Sequence, residues 1–276
     1  MFERLLVPIE DAEFADRAMD AGVALAAQLG AGIAGLVANQ PVPQPSKGGL
    51  ATLQAELPSV AELRSQERAQ LLLARFEKRA RSASVPFSGH HRHTDDVDGE
   101  IARTALERQC DVIVMVTHNR DALGRLLFGS HTREVVQRTR LPVLVLHGAR
   151  EAPRAFKHLL VPVDGSELAS HAMRQGIDLA RQLGASVTGL VSQAPTSAEP
   201  VLAEFARCAA ASGVAFDGRH SSTQRNHEAI IECARESGCD MIVMATHGRG
   251  WFGRLLFGSS TMGVMARSDL PLLVLH

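Results

Sequence analysis

Short uninterrupted apolar runs alternate along this chain with stretches in which apolar positions recur every three or four residues. Runs of the first kind read as strands buried on both faces of a parallel sheet, and stretches of the second kind as helices that cover it. The alternation is clearest after residue 155. His158–Val163 predicts a strand that ends in Asp-Gly-Ser, and Glu167–Leu183 a helix with Leu168, Ala172, Met173, Ile177 and Ala180 on one face, stopped at Gly184. Val187–Val191 reads as a second strand, Glu199–Ser212 as a helix ended by Gly213, and Val214–His220 as a third strand. His227–Ser237 is a helix stopped by Gly238, and Met241–Ala245 a fully apolar fourth strand. Ser259–Arg267 is the last helix and Leu272–Leu275 the last strand, with Pro271 at its entrance, where a missing N–H is tolerated. Five strands alternating with four helices, joined by right-handed crossovers, make a doubly wound open α/β sheet. Ligands of such sheets bind beyond the carboxyl ends of the strands, where the strand order reverses. The first and fourth strands end in the two most distinctive loops, VDGS and THGRG, which places a candidate site between them.

The same pattern occurs twice. Residues 111–147 and 240–276 are identical at 23 of 37 positions without a gap, and RLLVPIED at residues 4–11 answers HLLVPVDG at residues 158–165. QLGA at residues 28–31 is repeated at 182–185. Val7 answers Val161, an offset of 154, whereas Asp111 answers Asp240, an offset of 129, so the first copy carries 25 extra residues between these segments. Units this long are domains rather than turns of a solenoid. The boundaries that follow are 1–147 for the first domain, 148–155 for a short polar linker, and 156–276 for the second. The extra length falls at about 40–58, rich in Pro and Gly, and reads as a loop excursion before a long helix over Ser59–Ser82.

Composition narrows the function classes. A net charge of −1, with 21% charged and 45% hydrophobic residues, gives no basic footprint for nucleic acid or an anionic membrane. No apolar stretch approaches the roughly 20 residues a membrane span needs, and MFERLLVPIED shows no secretory pattern, so a cytoplasmic location is expected. The four cysteines lack CxxC spacing and read as small core-edge thiols. His91 and His93 would share one face of a strand, an arrangement a zinc site could use, but only His91 has a repeat counterpart (His220), and solvated histidines at an exposed strand end are the better reading.

Three glycine patterns overlap after the fourth strand. Residues 248–253 fit GxGxxG, but the fingerprint belongs after the first strand of a βαβ unit and directly before its helix. Residues 253–260 have the Gly-x4-Gly skeleton of a P-loop, with Ser where the phosphate-binding lysine belongs. The third pattern is Ala245-Thr-His-Gly248, nine residues, then Gly258-Ser259-Ser260. Glycines there let the backbone approach a ligand or take positive φ, and the serines open a helix whose free N–H groups favour an anion. The plainer reading makes Ser259 a helix cap and the glycines turns.

With Val161–Ser166 (VPVDGS), Ile242–Gly248 (IVMATHG), the nine-residue gap, Gly-Ser-Ser and the terminal LPLLVLH, the chain resembles the universal stress protein family in both copies, end to end. The resemblance implies two tandem five-stranded parallel α/β sandwiches. One branch of that family binds ATP through G-x2-G-x9-G-[S/T] and an aspartate after the first strand. By that resemblance Pro162 and Val163 would contact adenine, and Asp164 would hold ribose hydroxyls or a metal-linked phosphate such as Mg-ATP. Ala245, Gly248, Arg249, Gly258, Ser259 and Ser260 would surround the triphosphate, with Ala245 replacing the first glycine of the motif. The first copy departs from the pattern: Glu10, Asp11, Ala12, Val116, Asn119 and His131 stand where the second has Asp164, Gly165, Ser166, Ala245, Gly248 and Ser260. Only Gly129 and Ser130 persist, so nucleotide is expected in the second copy and not the first. His118 and His247, common to both, are expected to hold the loop rather than act as bases.

The resulting expectation is a stress-response protein that binds adenine nucleotide as a sensor or switch, with no catalytic residue and at most weak ATPase activity. Two alternatives stand beside it: a slow ATP hydrolase or adenylyl-transfer enzyme, and an interaction module whose pocket is vestigial. Family dimers pair their last strands, so Pro142–Leu146 and Pro271–Leu275 are expected to pair within one chain, with further homodimerisation left open.

Overall fold

The computed structural model describes residues 2–9, 12–40, 60–117, 130–147, 153–163, 167–192, 195–221, 226–245, 247–249, 255–256 and 258–276. The expected excursion at 41–58 lies outside them, as does most of the 148–155 linker. The first copy runs β1 (Arg4–Pro8), α1 (Ala12–Leu29), β2 (Gly32–Asn39), α2 (Val60–Ser82), β3 (Phe87–His93), α3 (Val97–Glu107), β4 (Val112–Thr117), α4 (Ser130–Arg138) and β5 (Val143–His147). The second runs β6 (His158–Val163), α5 (Glu167–Leu183), β7 (Ser186–Val191), α6 (Pro195–Ala211), β8 (Phe216–His220), α7 (Asn226–Glu236) and β9 (Met241–Ala245). It then continues through β10 (His247–Arg249), β11 (Leu255–Leu256), α8 (Ser259–Arg267) and β12 (Leu272–Leu275).

Ten strands form one sheet in the order β3-β2-β1-β4-β5-β12-β9-β6-β7-β8. Within each copy the pairing is parallel. At the centre β12 runs antiparallel to β5, with Leu272 opposite Val145, Leu273 opposite Leu144 and Val274 opposite Val143. These apolar strands would be exposed edges in an isolated copy, and pairing them removes two aggregation-prone edges. The outer edges, β3 and β8, are polar, reading FSGHHRH and FDGRH.

Strand alternation sends successive side chains to opposite faces, so each apolar strand feeds two cores. Leu5, Val7 and Leu273 join Met19, Phe76, Met173 and Phe205 under α1, α2, α5 and α6. Leu6, Ile113 and Val274 join Ile101, Val135, Ile230 and Val264 under α3, α4, α7 and α8. The two copies also meet through the residues of the repeated QLGA. The Gln28 side-chain amide donates to the carbonyls of Phe156 (2.7 Å) and Leu183 (2.8 Å) and accepts from the Phe156 N–H (2.9 Å). Gln182 answers with a single acceptance from the Phe2 N–H at 3.3 Å.

Most elements fall where the hydrophobic pattern places them. α6, however, begins at Pro195, four residues before Glu199, because proline is tolerated in the first helical turn; Pro200 then lies inside the helix. β8 begins at Phe216 rather than Val214. The glycine-rich stretch after β9 contains a small antiparallel hairpin of β10 and β11, with no apolar periodicity to announce it. The copies differ in backbone economy as well. Gly213 and Gly238 end helices in the left-handed region (φ +69° and +67°), where the first copy has Ser84 (+57°) and Gln109 (+54°).

Candidate functional site

The parallel strands β6 and β9 are in register at only two pairs, Leu159 with Met241 and Leu160 with Ile242. β6 runs beside β7 over six pairs, and β9 beside β12 over four. The two strands therefore part after their first residues, and a crevice opens between their carboxyl ends. This is the place where the strand order reverses, β6 leading out through α5 and α6 and β9 lying on the other side.

A cavity of about 260 Å³ fills that crevice. Pro162 and Val163 at the end of β6, Ala245 at the end of β9, and Gly258, Ser259 and Ser260 at the start of α8 all line it. Of the nine expected site residues, these six are brought together. Asp164 lies outside the described residues, and Gly248 and Arg249 fall in the β10 strand of the hairpin. The cavity wall also contains Ser192 after β7, Asn226 at the start of α7, Thr261 on α8, and an apolar set comprising Ala169, Ala172, Ile230 and Met244. None of these carries a motif. Asn226 left one signal in the repeat: the second copy reads QRNHEA at residues 224–229 where the first reads DDVDGE at 95–100.

The start of α8 faces the cavity with its first turn. Its N-cap is Gly258, not Ser259, and no side chain among the described residues caps it. Gly258 has φ −60° and ψ 152°, so it does not use the positive φ that glycine most readily adopts. The first-turn N–H groups of a helix have no intrahelical partner, and they carry the positive end of the helix dipole. Ser259 is exposed and Ser260 half-buried. Beside them, a Cβ at Gly263 would lie 2.5 Å from Cγ of His227, so the imidazole packs against α8 at a point where only glycine fits.

At the equivalent place in the first copy two side chains bond to one another. His131, at the position of Ser260, is hydrogen-bonded through Nδ1 to Oδ1 of Asp98 at 2.7 Å, and Asp98 stands where the second copy has His227. Asp96 caps α3 by accepting from the Gly99 N–H at 3.1 Å and is held by Nη1 of Arg138 at 2.6 Å. The Gly99 N–H, followed by Arg138, keeps the Asp96 carboxyl below the usual carboxylate range. Val116 is half-buried and lines a separate cavity of about 200 Å³ near the junction with Leu146, His147 and Pro271. Glu10, Asp11, Asn119 and His118 lie outside the described residues.

Other candidate chemistry is placed as follows. All four cysteines are free. Burial pushes the Cys110 thiol up to about 11 and Cys239 up to about 12, so neither supplies a thiolate nucleophile near neutrality. His91 and His93 do share a face of β3, their rings 4.5 Å apart, and the His91 ring lies 3.4 Å from the Asn39 amide. Among the described residues no three His, Cys, Asp or Glu side chains gather as a metal site would require. Among the same residues no helix is long and apolar enough to cross a membrane.

A model of the universal stress protein family matches residues 1–147 and again residues 155–276. A universal stress protein of Mycolicibacterium smegmatis (strain ATCC 700084 / mc(2)155) is 30% identical over 197 residues, covering 64% of this chain and 66% of that protein. Universal stress protein Rv2005c of Mycobacterium tuberculosis (strain ATCC 25618 / H37Rv) is 22% identical over 185 residues, 61% of this chain and 63% of its own length. The matches thus span just under two thirds of these relatives. The crystal structure of a universal stress protein from Archaeoglobus fulgidus DSM 4304 superposes with a TM-score of 0.77 at 18% identity, covering 99% of this chain and 97% of that one. That likeness is one of fold.

Proposed function

The chain belongs to the universal stress protein family, twice over, and from that premise we propose that it binds one adenine nucleotide, ATP, in the crevice of its second copy and acts as a sensor or switch. The observation that carries this reading is the meeting of a crevice between parting strands with an α8 N-terminus that no side chain among the described residues caps. Phosphates suit that end of a helix because its N–H groups and its dipole both favour an anion. In this reading Gly258, Ser259 and Ser260 take the phosphates, with Gly248 and Arg249 closing over them. Pro162, Val163 and the apolar wall take the base, and Asp164 takes the ribose or a magnesium ion on the phosphates. Ala245 is small enough to leave the floor clear. No residue is assigned as general base, so hydrolysis is expected to be slow and incidental.

The first copy is proposed to be silent toward nucleotide. Asp98 and His131 bridge the starts of α3 and α4, and this carboxylate occupies ground that a phosphate would otherwise share. The division into 1–147, 148–155 and 156–276 is part of the same proposal. So is the idea that the β5–β12 pairing replaces the dimer interface of single-copy proteins, which leaves self-association optional.

Calorimetric titration with ATP tests the reading. One site per chain is expected. Ala245→Val, which puts the first copy's side chain into the crevice, should weaken binding at least about tenfold, the equivalent of about 1.4 kcal/mol. An unaltered affinity in that variant would remove the crevice from consideration.

A further inference from the structure

Another cavity, of about 280 Å³, lies in the first copy between the end of β2 and the first half of α2. Its floor is apolar, formed by Ile9, Val37 and Leu72. One face of α2 forms its wall through Arg64, Ser65 and Arg68. Asn39 at the end of β2 donates to Ser65 Oγ at 3.1 Å, which fixes the serine at the rim and leaves its hydroxyl proton free to donate.

The two arginines are unusual on their own helix. Further along α2 the arginines are paired: Arg75 with Asp16 at 2.5 Å, Arg79 with Asp16 and Asp20 at 2.6 and 2.9 Å, and Arg81 with Glu77 at 2.7 Å. Arg64 and Arg68 have no ion pair among the described residues, and both are exposed. Like charges four residues apart on a helix repel, so this arrangement costs stability unless an anion lies between them. The second copy has no equivalent. Its α6 is 17 residues long against 23 for α2, and its first arginine is Arg207, near its end.

We infer that the first copy carries its own ligand site here, for a small molecule that joins an anionic head to an apolar body, of the aryl or alkyl phosphate class. Guanidinium groups present paired donors that match the oxygens of a phosphate, and the Ser65 hydroxyl adds a third donor. The apolar floor accepts a ring or short chain, as small-molecule pockets do. A ligand site of different chemistry thus stands in the copy proposed to be silent toward nucleotide. This inference does not depend on nucleotide binding in the second copy.

The probe is phenyl phosphate, titrated into the full chain by calorimetry with ATP present in excess. One molecule per chain is expected, bound more tightly than inorganic phosphate because of the apolar floor. Arg64→Gln with Arg68→Gln should weaken it at least about tenfold, since a hydrogen bond to a charged group contributes about 1.5–3 kcal/mol. Both side chains are exposed, so the double variant should fold, and its ATP titration should match the wild type. Absence of binding, or equal binding by the double variant, would overturn the site. Binding that appears only after residues 43–57 are deleted would also overturn it, because the cavity would then belong to the chain's own insertion.

Discussion

Replacing Gln28 by alanine should loosen the junction between the two copies, and the structure says by how much. Gln28 makes three hydrogen bonds across that junction, two donated and one accepted, all between 2.7 and 2.9 Å. A typical internal hydrogen bond contributes about 1 kcal/mol net, so the three together contribute about 3 kcal/mol. Freeing a glutamine side chain regains about 1.5–2 kcal/mol of rotamer entropy, which leaves a net loss of about 1–1.5 kcal/mol. Gln182, its repeat counterpart, makes one longer contact at 3.3 Å, and its removal should cost under about 1 kcal/mol. Gln28→Glu is the sharper variant. It keeps the acceptor for the Phe156 N–H but turns an oxygen toward two carbonyl oxygens, so it should lose at least as much as alanine. Urea unfolding followed by circular dichroism reads these differences as shifts of midpoint at constant slope. Equal losses for Gln28→Ala and Gln182→Ala, or no loss for either, would refute the idea that Gln28 is the asymmetric clasp of the duplication.

Three further outcomes can be checked on the same protein. Ser84→Gly and Gln109→Gly should each stabilise it by about 0.5–1 kcal/mol in urea unfolding. A non-glycine residue at φ near +55° costs about 1–2 kcal/mol, and glycine's extra freedom in the unfolded chain returns only part of that. Gly189→Ala should destabilise by about 1–3 kcal/mol, because its Cβ would lie 2.8 Å from the Phe216 ring, and Phe216→Leu in the same chain should recover part of the loss. Stability should also fall as pH drops below about 6.5. Burial holds the imidazoles of His276, His90 and His91 below their ordinary value, so the unfolded chain takes up protons first. The contribution of these groups is complete above 6.5 and is lost as pH falls, and His276→Asn should flatten that slope in thermal scans between pH 7.5 and 5.

The strands and most helices were legible because burial imposes a period the eye can follow. β9, buried up to its last residue, β12, buried throughout, and α5, with its single apolar face, begin and end at the residues their patterns indicate. α6 was less legible because Pro195 and Pro200 resemble a break when a proline in the first turn is compatible with a helix. The β10–β11 hairpin was not legible at all, since it buries no periodic face. At the site, the motif located Pro162, Val163, Ala245 and Gly258–Ser260, which are all backbone-proximal positions where spacing is rigid. It missed Asn226 and Ser192, whose places on the wall depend on how α7 and β7 pack, and it named Gly258 for a conformation that this residue does not adopt. The Asp98–His131 hydrogen bond of the first copy needed the fold as well, because 33 residues separate the partners.

The central claim is that a duplication symmetric in fold is asymmetric toward ligand. Native mass spectrometry of the full chain, titrated with ATP and followed by denaturing analysis of the released small molecule, addresses it most directly. One adenine nucleotide per chain is predicted, displaced by Ala245→Val and retained when Asp98 and His131 are both replaced by alanine. Two nucleotides per wild-type chain, or one that survives Ala245→Val, would contradict the account.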